Sequence, residues 1–326
     1  MMNHRLSFLG FVLASAFALN SVAAPQDTEV YAITPEWKAA IEKIAPSQAM
    51  AKPQKERTVL IFSLITGFDH KVTPKTAEVV KILGTKTGAW KVVESNDIEQ
   101  FMPENIKAYD AVILNNNCPT GKDRDIFRDV LINLVDKHGA KYKELPLAER
   151  EAKVKALLGS LLSYVDNGGG LIALHGAIAN FNSDDRFSAL LGGSFDFHPA
   201  AQEVTLKPVD ANHPLTKCFE GKPFVHKDEP YLFNRAYSKM NFKPLLEMDM
   251  SKIKTDKRLE KLPPMKRYTA WIKRQGKGHV FYCSPSHFPA SFDQPALLQF
   301  MLGGIQYALG DLTCDDAPVI AVGSRQ

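Results

Sequence analysis

The sequence predicts a doubly wound α/β fold: a mostly parallel sheet with helices on both faces. Three observations carry this. Short apolar runs rich in β-formers alternate with helix-period segments from about residue 58 onward. The runs are apolar throughout, as strands covered on both faces require. Finally, Gly168-Gly169-Gly170 lead into Leu171-Ile172-Ala173-Leu174, a buried strand that ends abruptly at His175-Gly176-Ala177. Ligands of open α/β sheets bind outside the carboxyl ends of strands. A polar residue at that point with two small residues behind it has the pattern of a nucleophile elbow, here with an imidazole in the nucleophile's place.

In order, Thr58 to Leu64 is the first strand, and Pro74 opens a helix to about Leu83, with Gly84 and Gly88 at its exit. Trp90 to Glu94 and Tyr109 to Leu114 are the next two strands. The third ends in Asn115-Asn116-Asn117-Cys118-Pro119, readable either as turn punctuation or as a row of amides at a pocket. Asp123 to Val135 has a helical pattern, residues 138–150 that of a charged surface loop, and Ala148 to Val165 that of a long helix. After the His175 turn come a short helix, Asp184 to Leu191, and an alternating strand, Gln202 to Pro208. Ser251 to Lys266 is a lysine-rich solvated insertion. Tyr268 to Arg274 and His279 to Ser284 form a hairpin by their turn chemistry, and Pro295 to Leu309 is the closing helix.

Composition bounds the function class. The chain has 326 residues, 45% hydrophobic and 23% charged, with a formal charge of +4. The basic residues are dispersed, without the patch that binds nucleic acid. Residues 1–23 have the charged, apolar and small-residue order of a signal peptide, so a periplasmic or secreted protein with no membrane insertion after signal removal is expected. Residues 24–56 read as an N-terminal extension, 57–310 as the α/β domain and 311–326 as a tail. Cys118, Cys218, Cys283 and Cys314 fit no zinc spacing, and Cys283, inside an apolar strand, reads as a buried thiol.

Histidines fall repeatedly at strand ends or tight turns: His70, His175, His198, His213 and His287. Histidine is the usual proton-transfer group near neutral pH and the commonest metal ligand. His213, in Asn212-His213-Pro214, reads first as turn chemistry. The segments Gly67-Phe68-Asp69-His70, Gly168 to Ala177, Leu191 to Pro199, His213 to Thr216 and Asp228-Glu229-Pro230-Tyr231 together resemble, in that order, the trehalose-utilisation or ThuA-like family, over about Thr58 to Leu309.

That resemblance implies a flavodoxin-like, class I glutamine amidotransferase-like fold and a role in carbohydrate metabolism. It further implies oxidised (3-keto) sugars or glycosides as substrates, since such proteins accompany sugar dehydrogenases. The elbow departs from the amidotransferases: it holds His175, not the cysteine whose thiolate forms an acyl intermediate, so glutaminase chemistry is not expected.

Protons on carbons next to a carbonyl are acidic, and a positioned base with an acid or metal permits isomerisation or β-elimination. His175, His198 and Glu229 are the candidate catalytic groups. His70, His175 and His198 are the candidate ligands of a divalent ion such as zinc or manganese, and no nucleotide cofactor is expected. Asn117, Phe68, Asp228, Tyr231 and His287 are candidate contacts to a small-molecule sugar. Phe197 and Trp271 could offer further ring faces or belong to the core. A non-catalytic carbohydrate-binding protein on the same scaffold is the alternative. A two-carboxylate hydrolase ranks lower, since only Asp196, Asp228 and Glu229 lie near the motifs.

Overall fold

The structure, a computed structural model, describes residues 28–319 other than Lys122 and Thr255. The expected signal peptide and the end of the expected tail, 320–326, lie outside the described residues.

Eleven strands are described: β1 (Thr58–Phe62), β2 (Lys91–Ser95), β3 (Ala111–Asn115), β4 (Gly170–Leu174), β5 (Ser194–Phe197), β6 (Gln202–Pro208), β7 (Phe224–Asp228), β8 (Leu232–Asn234), β9 (Lys243–Met248), β10 (Tyr268–Gln275) and β11 (Gly278–Cys283). Nine of them form one sheet in the order β2-β1-β3-β4-β11-β10-β9-β6-β7, and β5 and β8 pair separately. The run from β2 to β11 is parallel. Beyond β11 the pairing turns antiparallel.

Successive residues of a strand face opposite sides, and here both sides are apolar. Val59, Ile61, Ile172, Leu174 and Phe281 face one core, beneath the helices Thr73–Thr87 and Pro295–Ala308. Leu60, Phe62, Leu171, Ala173, Val280 and Tyr282 face the other, beneath Leu147–Asp166 and Asp185–Leu191. This is the doubly wound arrangement that the apolar runs predict. Trp271, a candidate ring face, is fully buried in the second core, its indole N–H donating to the Leu191 carbonyl at 2.8 Å.

The antiparallel half curls back over the parallel half. Register shifts in the β9–β10 pairing mark the bend, since a bulge locally kinks and twists a strand. As a result Asp228, at the end of β7, accepts a hydrogen bond from Ser286 N, just past β11, at 3.0 Å. Three strands, β10, β9 and β6, lie between β11 and β7 in the sheet order.

The N-terminal extension is clamped to the body. Buried Gln306 accepts from Met50 N and Ala51 N and donates to the Ala51 carbonyl, while Arg57 binds Asp311. The expected helix over 123–135 is broken into Ile126–Arg128, a π turn at Asp129–Asn133 and Val135–His138. The cause is Asp129, fully buried, which accepts from Thr66 Oγ1 (2.7 Å), Thr120 N (3.1 Å) and Asn133 Nδ2 (2.9 Å) and so ties the loop carrying Phe68 and His70 to this segment. Among its described residues, the lysine-rich stretch 251–266 has only short 3₁₀ segments and turns. All four cysteines are unpaired, Cys283 fully buried. No described helix is long and apolar enough to cross a membrane.

Candidate active site

The carboxyl ends of four adjacent parallel strands build the site's floor. The loop after β1 delivers Phe68 and His70, β3 delivers Asn115 to Asn117, β4 delivers His175, and β11 delivers Ser284 to His287. Residues 228–231, from the end of β7 into its connection to β8, complete it.

His175 has the elbow conformation that its sequence setting predicts. Its φ is +45°, and Asn116 (+57°) and Ser286 (+144°) are left-handed on the neighbouring strand ends. Such positions cost about 1–3 kcal/mol each and concentrate at functional sites. His175 is completely buried. Its Nδ1–H donates to the Ser284 carbonyl at 2.8 Å, which aims Nε2 into the site, 3.0 Å from His287 Nδ1 and 3.3 Å from Glu229 Oε2. Glu229 Oε2 also lies 3.1 Å from His287 Nδ1. His70, His175, Glu229 and His287 each offer one ligand atom, and these four atoms lie within 4.8 Å of one another.

Gly176 permits this packing. A Cβ there would meet His70 Cε1 at 2.4 Å and both ring nitrogens at 3.0 Å. Gly176→Ala is expected to push the His70 ring away, at about 1–3 kcal/mol, the usual cost of overpacking. Thermal unfolding, with the metal content of the purified variant, checks this; unchanged stability and metal content would refute it.

The electrostatics are divided. Burial, together with repulsion from His175 and His287, pushes His70 down to about 2, so it stays neutral. Burial also opposes charge on His175, but hydrogen bonding to Glu229 and the fields of Asp228 and Glu229 outweigh it and raise its pKa. Burial works against the Glu229 carboxylate, yet His175 and His287 bind it and hold it well below the usual range. The carboxylates thus favour positive charge on His175, while His70 is left a neutral imidazole whose Nδ1 is buried without a hydrogen-bond partner.

A pH effect follows for chelator-treated protein. His70 titrates near 6.5 unfolded but near 2 folded, so its contribution is present above pH 6.5 and is lost as pH falls. The slope for one such group approaches about 1.4 kcal/mol per pH unit. Between pH 6.5 and 5, the stability of the native chain relative to His70→Gln is expected to fall with that sign. Denaturant melts across this range test it, and a pH-independent difference would refute the buried neutral imidazole.

The expected site residues fall into three groups. His70, His175, Glu229 and His287 form the compact donor set; Glu229 and His287 join it in the place that sequence reading gave to His198. His198 lies at its rim, with Nε2 3.6 Å from Glu229 Oε1, and its ring is stacked on Tyr231 at 5.3 Å. Its Nδ1–H donates to the Pro199 carbonyl at 2.8 Å, leaving Nε2 as the basic nitrogen. Tyr231 is buried, 4.4 Å from His175 by ring centroids, with its hydroxyl 3.4 Å from His70 Nε2. Phe68 is 56% exposed and edge-on to His70 at 4.7 Å, an uncovered aromatic at the mouth.

Two residues expected at the substrate are placed beneath the site instead. Asp228 is 2% exposed; its oxygens accept from Glu229 N (2.8 Å) and Ser286 N (3.0 Å), and His226 Nδ1 lies 3.4 Å away. Asn117 is fully buried and donates to the Leu64 carbonyl at 2.8 Å. Both position loops, because a buried acceptor or donor is best used by backbone groups that would otherwise be unpaired.

His213 lies apart in its turn, accepting from Leu215 N and donating to the Asp315 carbonyl. Phe197, half-buried, packs under Arg258. Sequence reading missed His226, Ser284 and Ser286, which brace Asp228 and His175. Their only signal was the ionisable stretch before Tyr231 and the break after β11.

Among known proteins, the family model described as ThuA, trehalose utilisation, matches residues 146–308. A ThuA-like protein from Bacteroides uniformis has a similar structure (TM-score 0.55, 17% identity, covering 79% of this chain and 94% of that one). One from Parabacteroides merdae does too (TM-score 0.52, 16% identity, 79% and 92%). At these identities the likeness shows the fold. No curated protein matches.

Proposed function

The chain belongs to the ThuA, or trehalose-utilisation, family, and from that premise we propose that its site is a metal-assisted acid/base centre acting on oxidised (3-keto) sugars or glycosides, by isomerisation or elimination. Family membership supports carbohydrate metabolism in general. The observation that carries the finer reading is the donor set: three imidazoles and one carboxylate whose ligand atoms lie within 4.8 Å, at the strand ends where α/β folds bind ligands.

The donors suit a divalent ion. Neutral imidazoles and a carboxylate are the usual ligands of zinc and of other first-row ions. The Ser284 carbonyl fixes the His175 tautomer in the way that ligating histidines are normally braced. His70 Nδ1 is a buried nitrogen in want of a partner. His70, His175, Glu229 and His287 would hold the ion. When bound, it would supply Lewis acidity to a substrate carbonyl or enediolate oxygen.

The chain's own residues do the rest. His198 Nε2, partly exposed, removes the proton from the carbon next to the carbonyl. In isomerisation it returns that proton to the former carbonyl carbon while the hydroxyl proton passes between the two enediolate oxygens. In elimination the bond from the β carbon to the leaving oxygen breaks and that oxygen takes the proton. Glu229, 3.6 Å away, stabilises the imidazolium that forms. Phe68 offers a ring face to the sugar, and Tyr231 closes the floor. The elbow carries no cysteine, so no acyl-enzyme step is part of this reading.

The test combines metal analysis of the purified chain with incubation of a 3-keto glucoside in D2O, followed by NMR. About one equivalent of metal and deuterium incorporation next to the carbonyl are expected. A metal-bearing chain that binds the keto sugar without exchange would be a binding protein. A chain with neither metal nor exchange would overturn the reading. Export, with removal of residues 1–23, belongs to the same proposal and is checked by the mass of the mature chain; an intact Met1 would refute it.

A further inference from the structure

We infer that Arg124 is an anion receptor at the mouth of the site and that the substrate sugar carries a carboxylate or phosphate; this rests on the proposed sugar-binding site. Arg124 precedes the broken helix. Its guanidinium lies 4.8 Å over the ring of Phe195. Phe195 lies 4.9 Å from Tyr231 and 5.9 Å from His198, again by ring centroids. The guanidinium therefore caps the aromatic wall that ends at the proposed base. Its field also reaches Cys118, whose buried thiol is raised by burial and by Glu229 but eased downward by Arg124.

One feature separates Arg124 from the other arginines. Each of the other eight described arginines donates to a carboxylate or a carbonyl: Arg57, Arg128, Arg150, Arg186, Arg235, Arg258, Arg267 and Arg274. Among the described residues, Arg124 alone makes no such bond, and its five N–H donors stay available. Its backbone is left-handed, with φ +46°, a conformation it shares with Arg235 (φ +53°) and one that costs about 1–2 kcal/mol for a residue with a Cβ. A partly exposed cation–π contact returns only about 0.5–1 kcal/mol. What the ring contact leaves open is the planar guanidinium fork, which matches a carboxylate or phosphate with two parallel hydrogen bonds.

The experiment compares binding of D-glucuronate, D-glucose 6-phosphate and D-glucose to the metal-loaded chain, and to Arg124→Gln and Arg124→Lys, by calorimetry. At least one anionic sugar should bind roughly ten- to hundredfold more tightly than glucose, the range of a charged hydrogen-bonded pair. Which one it is separates carboxylate from phosphate. Arg124→Gln should bring that sugar to the level of glucose, with Arg124→Lys between. Thermal melts confirm that both variants fold. Equal binding of acids and glucose, binding of none of the three, or a preference that survives Arg124→Gln overturns the inference. Glucose binding with metal present but no acid preference removes this inference alone. A chain without metal that binds none of the sugars removes the proposed function as well.

Discussion

His175→Ala is expected to strip the bound ion and to lower turnover by about 10²- to 10⁴-fold, the range of a lost acid/base or ligand group, with the fold retained. The imidazole is the hub of the donor set: its Nε2 faces both His287 and Glu229. The variant loses that nitrogen but leaves the backbone as it was. Alanine carries the same Cβ at φ +45° as histidine does, so the strain is unchanged. Neighbouring Ala177 and Ile178 are buried and apolar, and they keep the turn packed. Metal content by mass spectrometry, turnover and circular dichroism together check this. A folded variant with full metal and full turnover would remove His175 from the centre of the site.

Asp228→Ala is expected to cost about 2–5 kcal/mol and to disorganise the site without removing a ligand atom. The carboxylate is buried and serves two backbone donors, Glu229 N and Ser286 N. Leaving a buried donor unpaired costs about 1–3 kcal/mol. Ser286, at φ +144°, relies on that bond to hold a conformation otherwise costing about 1–3 kcal/mol. Its release would move His287, the next residue. Denaturant melts measure the stability loss, and metal affinity measures the misplacement. Asp228→Asn, which keeps one acceptor oxygen, should recover part of both. A variant as stable as the native chain, with unaltered metal affinity, would show that Asp228 does not brace the site.

Local chemistry was enough to expose the fold and the elbow. Apolar runs such as Val59 to Phe62 and Leu171 to Leu174 are short, rich in β-formers and alternate with helix-period segments, so strands covered on both sides and the doubly wound architecture were legible. Gly176 and Ala177 mark the tight turn at His175, and the tertiary structure gives that turn its positive φ. Phe68 and His70 were legible as strand-end residues for the same reason.

Which of these residues meet was decided by the tertiary structure alone. Glu229 reaches His175 because the antiparallel half of the sheet brings the end of β7 beside the loop after β11, with register shifts in the β9–β10 pairing along the way. That arrangement depends on pairing between strands distant in sequence. Asp228 lies buried below Glu229 and His198 lies at the rim, although sequence reading made His198 a catalytic group and metal ligand and Asp228 a substrate contact. Burial, too, is a property of the assembled fold: it keeps His70 neutral, while the neighbouring carboxylates favour charge on His175, two histidines that the sequence alone presents as the same chemical group.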